Sequence, residues 1–99
     1  MPSAARVGDS ILPHGCWSGG VVSSGSGDVL INGIPAARVG DAGTPHSWIC
    51  PDPPGPHGVT ISSGSGTVLI NGKPAARIGD STDCGTTIGA GSGDVIIGG

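Results

Sequence analysis

Seven residues recur three times in the chain, as Ser3-Ala-Ala-Arg-Val-Gly-Asp9, Pro35-Ala-Ala-Arg-Val-Gly-Asp41 and Pro74-Ala-Ala-Arg-Ile-Gly-Asp80. A second element accompanies them: Ser24-Gly-Ser-Gly-Asp28, Ser63-Gly-Ser-Gly-Thr67 and Gly91-Ser-Gly-Asp94, each running into a Val/Ile/Leu stretch. Short units of this kind cannot bury an apolar face alone, so they must share a core with their neighbours. They either stack linearly as a solenoid or close around a pseudo-threefold axis. The arginines are 32 and 39 residues apart while the Gly-Ser-Gly turns are 39 and 27 apart, so the repeated parts are regular and the connecting loops vary. Those loops follow each Gly-Asp pair, over residues 10–20, 42–58 and 81–87.

The local pattern is all-β. Val29-Leu-Ile31 and Val68-Leu-Ile70 are rich in β-branched residues and run into Asn32-Gly33 and Asn71-Gly72, a pair that accepts the positive φ of a two-residue hairpin turn. Val21-Val22 and Val59-Thr-Ile61 precede the Gly-Ser-Gly turns, which predicts three-stranded meanders of about five residues per strand and almost no helix.

Composition decides how such a fold is held. At 99 residues the chain fits one domain, taken here as 1–99. It has no Phe or Tyr, and its core must come from eight Val, ten Ile and three Leu. Gly and Pro supply 30 residues, a level at which an unpatterned chain stays disordered, so the repeat and an added tie must offset the ordering entropy. Small scaffolds with thin cores use disulfides, a metal or a partner subunit. Three cysteines with no signal-peptide pattern at the N-terminus do not make a complete disulfide framework, which favours metal ligation and a soluble, cytosolic site of synthesis. A net charge of −3 with four fixed cations gives no basic stripe for nucleic acid, and no apolar run is long enough to span a bilayer.

All the histidines and cysteines fall in the variable loops. His14 and His46 lie five residues after Asp9 and Asp41, and Cys84 lies four after Asp80, so each repeat presents one good ligand at an equivalent place. His57 lies seven residues before Gly64, as Cys84 does before Gly91, and marks the far end of the long second loop. Three imidazoles and one thiolate suit one tetrahedral Zn²⁺ in a closed structural site. Converging ligands of this kind favour closure over a solenoid. Cys16 and Cys50 remain alternative ligands or a disulfide pair, and Trp17 and Trp48 beside them are expected to cover the loops. An open zinc hydrolase site would need an acid/base, with Asp52 or Asp83 as candidates, but four available ligands argue for closure. Arg6, Arg38 and Arg77 each precede an Asp by three residues, which suggests Arg–Asp pairing from repeat to repeat. The Gly-Ser-Gly turns lack the Gly-Lys-Ser/Thr end of a phosphate loop.

Pro35-Ala36-Ala37-Arg38 and Pro74-Ala75-Ala76-Arg77 spell the PAAR motif, and the chain resembles PAAR-repeat proteins over nearly its whole length. The first copy departs from the pattern, with Ser3 in place of Pro and Pro2 one position early. The resemblance implies a non-enzymatic, metal-stapled cone that sharpens the tip of a VgrG-like trimeric spike in a type VI secretion system, one cap per trimer. It implies zinc near the point on His14, His46, His57 and Cys84. It further implies assembly in the bacterial cytoplasm, expulsion with the spike, and membrane puncture without stable insertion. Effectors or adaptors would bind separately, since the repeats reach from Ser3 to Ile97 and leave no room for a toxin extension. A free-standing zinc-binding adaptor for effector delivery is the alternative.

Overall fold

Small side chains at the repeat centre let three segments of backbone meet at one axis. A computed structural model describes residues 2–13, 19–44, 59–83 and 85–98. In it the N–H of Ala5 donates to the carbonyl of Ala76, Ala76 to Ala37, and Ala37 to Ala5, each at 3.0 Å. This cycle of three bonds closes the repeats into a ring, which excludes the linear stack. The same rotation relates the bridges Ala4 to Arg77, Arg6 to Ala36 and Arg38 to Ala75. Ala4, Ala5, Ala36, Ala37, Ala75 and Ala76 are all fully buried, because only a methyl group fits where three backbones approach one another.

The alanine ring divides the core in two. On the loop side, Ala5, Ala37 and Ala76 pack with Ile11, Val22, Val59, Ile61 and Ile88. On the hairpin side, Ala4, Ala36 and Ala75 pack with Ile31, Ile70 and Ile97. Each cluster therefore takes side chains from all three repeats, and neither would survive the removal of one.

The described residues contain no helix and eight strands of two residues each, paired as antiparallel hairpins. β1 (Ser10–Ile11) pairs with β2 (Gly20–Val21), and β5 (Ala42–Gly43) with β6 (Val59–Thr60), closing the roots of the first two loops. β3 (Leu30–Ile31) pairs with β4 (Ile34–Pro35), and β7 (Leu69–Ile70) with β8 (Lys73–Pro74). The Asn-Gly turns form as expected, with φ of 54° at both Asn32 and Asn71 and 76° and 78° at the following glycines.

The five-residue meanders are corrected by this topology. Val22 does not continue into the Val29–Ile31 strand; it bridges Gly43 of the next repeat, while Ile61 bridges Thr82 and Ile11 bridges Ile88. Frequent Gly and Pro interrupt each strand, and the backbone groups are satisfied between repeats instead. Gly25 shows the constraint: a Cβ there would lie 2.7 Å from the carbonyl oxygen of Ala36, and the equivalent Gly64 and Gly91 meet Ala75 and Ala4 at the same distance.

The third hairpin is assembled from the two ends of the chain. Ser3 bridges Ile96, Ala4 N–H donates to Val95 at 2.9 Å, and Ile97 N–H donates to Pro2 at 3.0 Å. Ser3 thus stands where Pro35 and Pro74 stand in the other hairpins. That position does not use its N–H in the ladder, so proline and serine serve equally.

Candidate functional site

Each Arg-x-Gly-Asp segment folds into a tight turn in which the Asp N–H donates to the Arg carbonyl at 3.0–3.1 Å. The glycine has φ of 91°, 93° and 89° in the three copies, as the third position of a type II turn requires. This turn brings the carboxylate back onto its own arginine. Asp41 accepts from the N–H and Nε of Arg38 through Oδ2 at 2.8 and 2.9 Å, and from Nη2 through Oδ1 at 2.9 Å. Arg6–Asp9 and Arg77–Asp80 repeat the geometry. The expected repeat-to-repeat pairing is therefore corrected: the ion pairs lie within a repeat. All three arginine pKa values are raised, first by the hydrogen bond to the partner carboxylate and opposed by desolvation.

Contact between repeats passes through asparagine instead. Asn71 Oδ1 accepts Nη1 of Arg38 at 2.9 Å and the hydroxyl of Ser26 at 2.6 Å, while its Nδ2 donates to Asp28 at 3.1 Å. Asn32 does the same with Arg6, Ser92 and Asp94. At the third seam the carbonyl of Gly98 accepts from Ser65 at 2.7 Å and from Arg77 Nη1 at 3.3 Å. Backbone replaces side chain there, so the ring is closed three times but identical only twice.

The loop end is built on these clamps. Immediately after each Asp, the chain enters a loop whose root is tied to the next: Ser23 N–H donates to Ala42 at 2.8 Å, Ser62 to Ser81 at 2.9 Å, and Gly89 to Ser10 at 2.8 Å. The three loops consequently leave the core from equivalent places about the axis. The third is the shortest, closed by the Ser81–Thr87 bridge and by Thr82 N–H donating to Thr86 at 2.9 Å. Thr86 also donates its hydroxyl to the carbonyl of Leu12, which joins the third loop to the first.

His14, His46, His57 and Cys84, with Cys16, Cys50, Trp17, Trp48 and Asp52, lie outside the described residues. Among the described residues no group of three or more His, Cys, Asp or Glu side chains is placed to hold a metal. What the structure describes is the root of each ligand-bearing loop, including the residues on both sides of position 84. Asp83, the other acid/base candidate, accepts the N–H of Thr60 at 3.0 Å and so has a structural partner.

The hairpin end carries a feature that the sequence reading did not isolate. Leu30, Leu69 and Ile96 occupy equivalent positions and are 58%, 62% and 58% exposed, although each follows and precedes a more buried residue. The signal was present in the sequence as the middle residue of each Val/Ile/Leu triplet, which must point away from the face that its neighbours bury. Val29 and Val68 are partly exposed beside them.

A family model described as the PAAR motif matches residues 12–90, most of the chain. No curated protein matches the chain.

Proposed function

The chain belongs to the PAAR-motif family, and from that premise we propose that it is a non-enzymatic cap that binds and sharpens the tip of a VgrG-like trimer. The family caps such spikes in type VI secretion systems. The observation that carries the reading is the cycle of Ala5, Ala76 and Ala37 backbone bonds, by which one chain presents three similar sectors about one axis. A trimer end offers the same contact three times, and a pseudo-threefold monomer meets all three copies at once. A point must also resist bending. Six buried alanines, three mostly buried Arg–Asp clamps and seams satisfied by hydrogen bonds supply that rigidity.

The reading includes one structural zinc held by His14, His46, His57 and Cys84. The donor set fits: four ligands complete a tetrahedral site, and their loops leave the core from equivalent roots that the backbone ties together. Zinc bound there would supply a tie between all three repeats, with folding free energy as its contribution. The chain's own role is to keep those roots in register. Exit with the spike follows from the same reading.

The test is size-exclusion chromatography of the whole chain with a purified VgrG-like trimer, with the expectation of one cap per trimer. No complex at micromolar concentration would remove the cap reading. Elemental analysis is expected to give one zinc per chain, and Cys84→Ser or a chelator should lower the melting temperature. Unchanged stability after complete metal removal would defeat the staple.

A further inference from the structure

The chain has two asparagines, Asn32 and Asn71, and each precedes a glycine. In an Asn-Gly pair the side-chain amide is open to attack by the next backbone nitrogen, because glycine puts no side chain in the way. Here both pairs are held away from that reaction. Positive φ at both residues of each pair makes a type I′ turn. Closing a five-membered imide requires the glycine nitrogen eclipsed with Cβ about the Asn Cα–C bond, whereas the turn holds ψ at about +30°, roughly 150° from that position. The side chain is held as well, by hydrogen bonds through Oδ1 and Nδ2 to three partners at each asparagine. Both residues are exposed, so solvent water reaches them and geometry restrains the chemistry.

The two locks differ in what holds them. Asn71 is bonded to Ser26, Asp28 and Arg38, all in the middle of the chain. Asn32 is bonded to Arg6 but also to Ser92 and Asp94, on the segment that supplies one strand of the third hairpin. That segment, residues 91–98, is tied down by Ser92 N–H donating to Ala4 at 2.8 Å, Ala4 N–H to Val95 at 2.9 Å and Ile97 N–H to Pro2 at 3.0 Å. No turn joins it to the strand it pairs with: Ser3 and Ile96 close a loop that runs through the whole ring. Such a closure costs more chain entropy than a two-residue hairpin and opens more readily than the core. Release of the segment takes Ile97 from the cluster that holds Ile31 and Ile70 alike, so the hydrogen-bond partners make the difference. Two of three are lost from Asn32 and none from Asn71.

We propose that Asn32 is a site of spontaneous deamidation gated by release of residues 91–98, and that its conversion keeps this strand from docking as tightly again. In the released state the turn opens and the Gly33 nitrogen bonds to Asn32 Cγ. The Cγ–Nδ2 bond breaks, and ammonia leaves with the Gly33 amide proton. Solvent water then adds to the imide and cleaves one of its two C–N bonds. Cleavage at Cγ leaves aspartate; cleavage at the main-chain carbonyl leaves isoaspartate, with the main chain lengthened by one atom inside a two-residue turn. Neither product restores the seam. Asn32 Nδ2 donates to Asp94 at 3.1 Å, and a carboxylate oxygen in its place sets two anions at hydrogen-bond distance with no proton between them. Arg6 offsets only part of that repulsion, since its guanidinium already serves Asp9. The longer main chain of isoaspartate is incompatible with the register of Leu30 on Pro35 and Ile31 on Ile34. Release of the strand thereby becomes one-way.

Peptide mapping of the full chain by mass spectrometry, during incubation at mildly alkaline pH, reads both sites at once. Asn32 is expected to convert about tenfold or more faster than Asn71, since one strand opens more often than the ring, with isoaspartate among the products. In denaturant, where the two Ile-Asn-Gly sequences are equally free, the rates should converge. Urea below the unfolding transition should speed Asn71 more steeply than Asn32, because release of one strand exposes less surface than opening of the ring. Asn32→Asp, which carries one of the two products, should raise amide exchange at Ile97 by about tenfold. Equal native rates, a faster Asn71 or equal urea slopes would remove the gate. Native rates as fast as those in denaturant would show that the turn restrains nothing, and two sites that stay intact in the native chain while the denatured chain is consumed would remove Asn32 as a site. Unchanged protection of Ile97 in Asn32→Asp would overturn the one-way step.

Discussion

Replacing Asn71 separates two contributions that the fold places on one residue. Ser26 is 1% exposed and its oxygen accepts the N–H groups of Asp28 and Val29, so Asn71 Oδ1, at 2.6 Å, is the acceptor for its hydroxyl proton. Asn71→Gly keeps the left-handed φ of 54° without steric cost but leaves that buried donor unsatisfied, a loss of about 1–3 kcal/mol. The exposed bonds to Arg38 and Asp28 add about 0.5 kcal/mol each, at the low end of the range for hydrogen bonds. The total is about 2–4 kcal/mol, which for a domain of this size lowers Tm by about 10–30 °C. Asn71→Ala adds a Cβ in a region that alanine avoids, for a further ~1 kcal/mol. Calorimetry on metal-saturated protein reads both differences. Variants that melt within a few degrees of the parent would refute the seam account, and a glycine variant no more stable than the alanine variant would refute the backbone account.

Arg38→Met leaves the 5%-exposed Asp41 without its guanidinium and should cost about 3 kcal/mol in urea unfolding, with similar losses for Arg6→Met and Arg77→Met; no loss at any of the three would mean the clamps are ornamental. Because the Arg38 pKa is raised in the fold, its contribution is complete below the ordinary arginine pKa and is lost only as pH rises through the raised one. The gap in Tm between parent and Arg38→Met should accordingly be the same at about pH 7 and about pH 10. Ala37→Val forces two methyl groups toward the axis and should destabilise by about 1–3 kcal/mol; a neutral result would show that the ring has room. Removing residues 1–3 takes away the acceptors of Ile97 and Ile78 N–H and should abolish amide protection at both positions before the rest of the ring melts, which native-state hydrogen exchange can follow.

The repeat made the all-β class, the Asn-Gly turns and the preference for closure legible, because each depends on residues a few positions apart. Pairing was not legible for a physical reason. Val22 and Gly43 form a bridge across the repeat boundary, and no local propensity distinguishes that partner from the nearer Val29. The Arg–Asp spacing suggests pairing from repeat to repeat, whereas the positive φ of Gly8, Gly40 and Gly79 turns each Asp back onto its own Arg. The glycine was the signal that decides between the two. Ser3 departs from the repeat pattern in sequence, but at a position that donates nothing to the ladder the missing ring is of small consequence. For the candidate site, loop roots at equivalent places were legible from the distances to each Gly-Asp, while the exposed edges at Leu30, Leu69 and Ile96 required knowing which neighbour each strand lacks.

A single chain that imitates a threefold object must break the symmetry somewhere, and this one breaks it at both ends of the axis for different reasons. At the hairpin end the break is covalent: Asn32 and Asn71 close two seams, and Gly98 with the segment at Pro2–Ser3 closes the third, yet the edges at Leu30, Leu69 and Ile96 stay alike. The repeats thus agree most closely in the residues that the hairpins expose. At the loop end the break lies in length. Three identical loops would offer a metal three identical ligands, one short of a closed tetrahedral set. A fused chain escapes that limit, because one loop can be longer than the others without altering its root. The second loop, residues 42–58, is the longest and carries both His46 and His57, so on the proposed reading the fourth ligand comes from the very irregularity that a homotrimer would not permit.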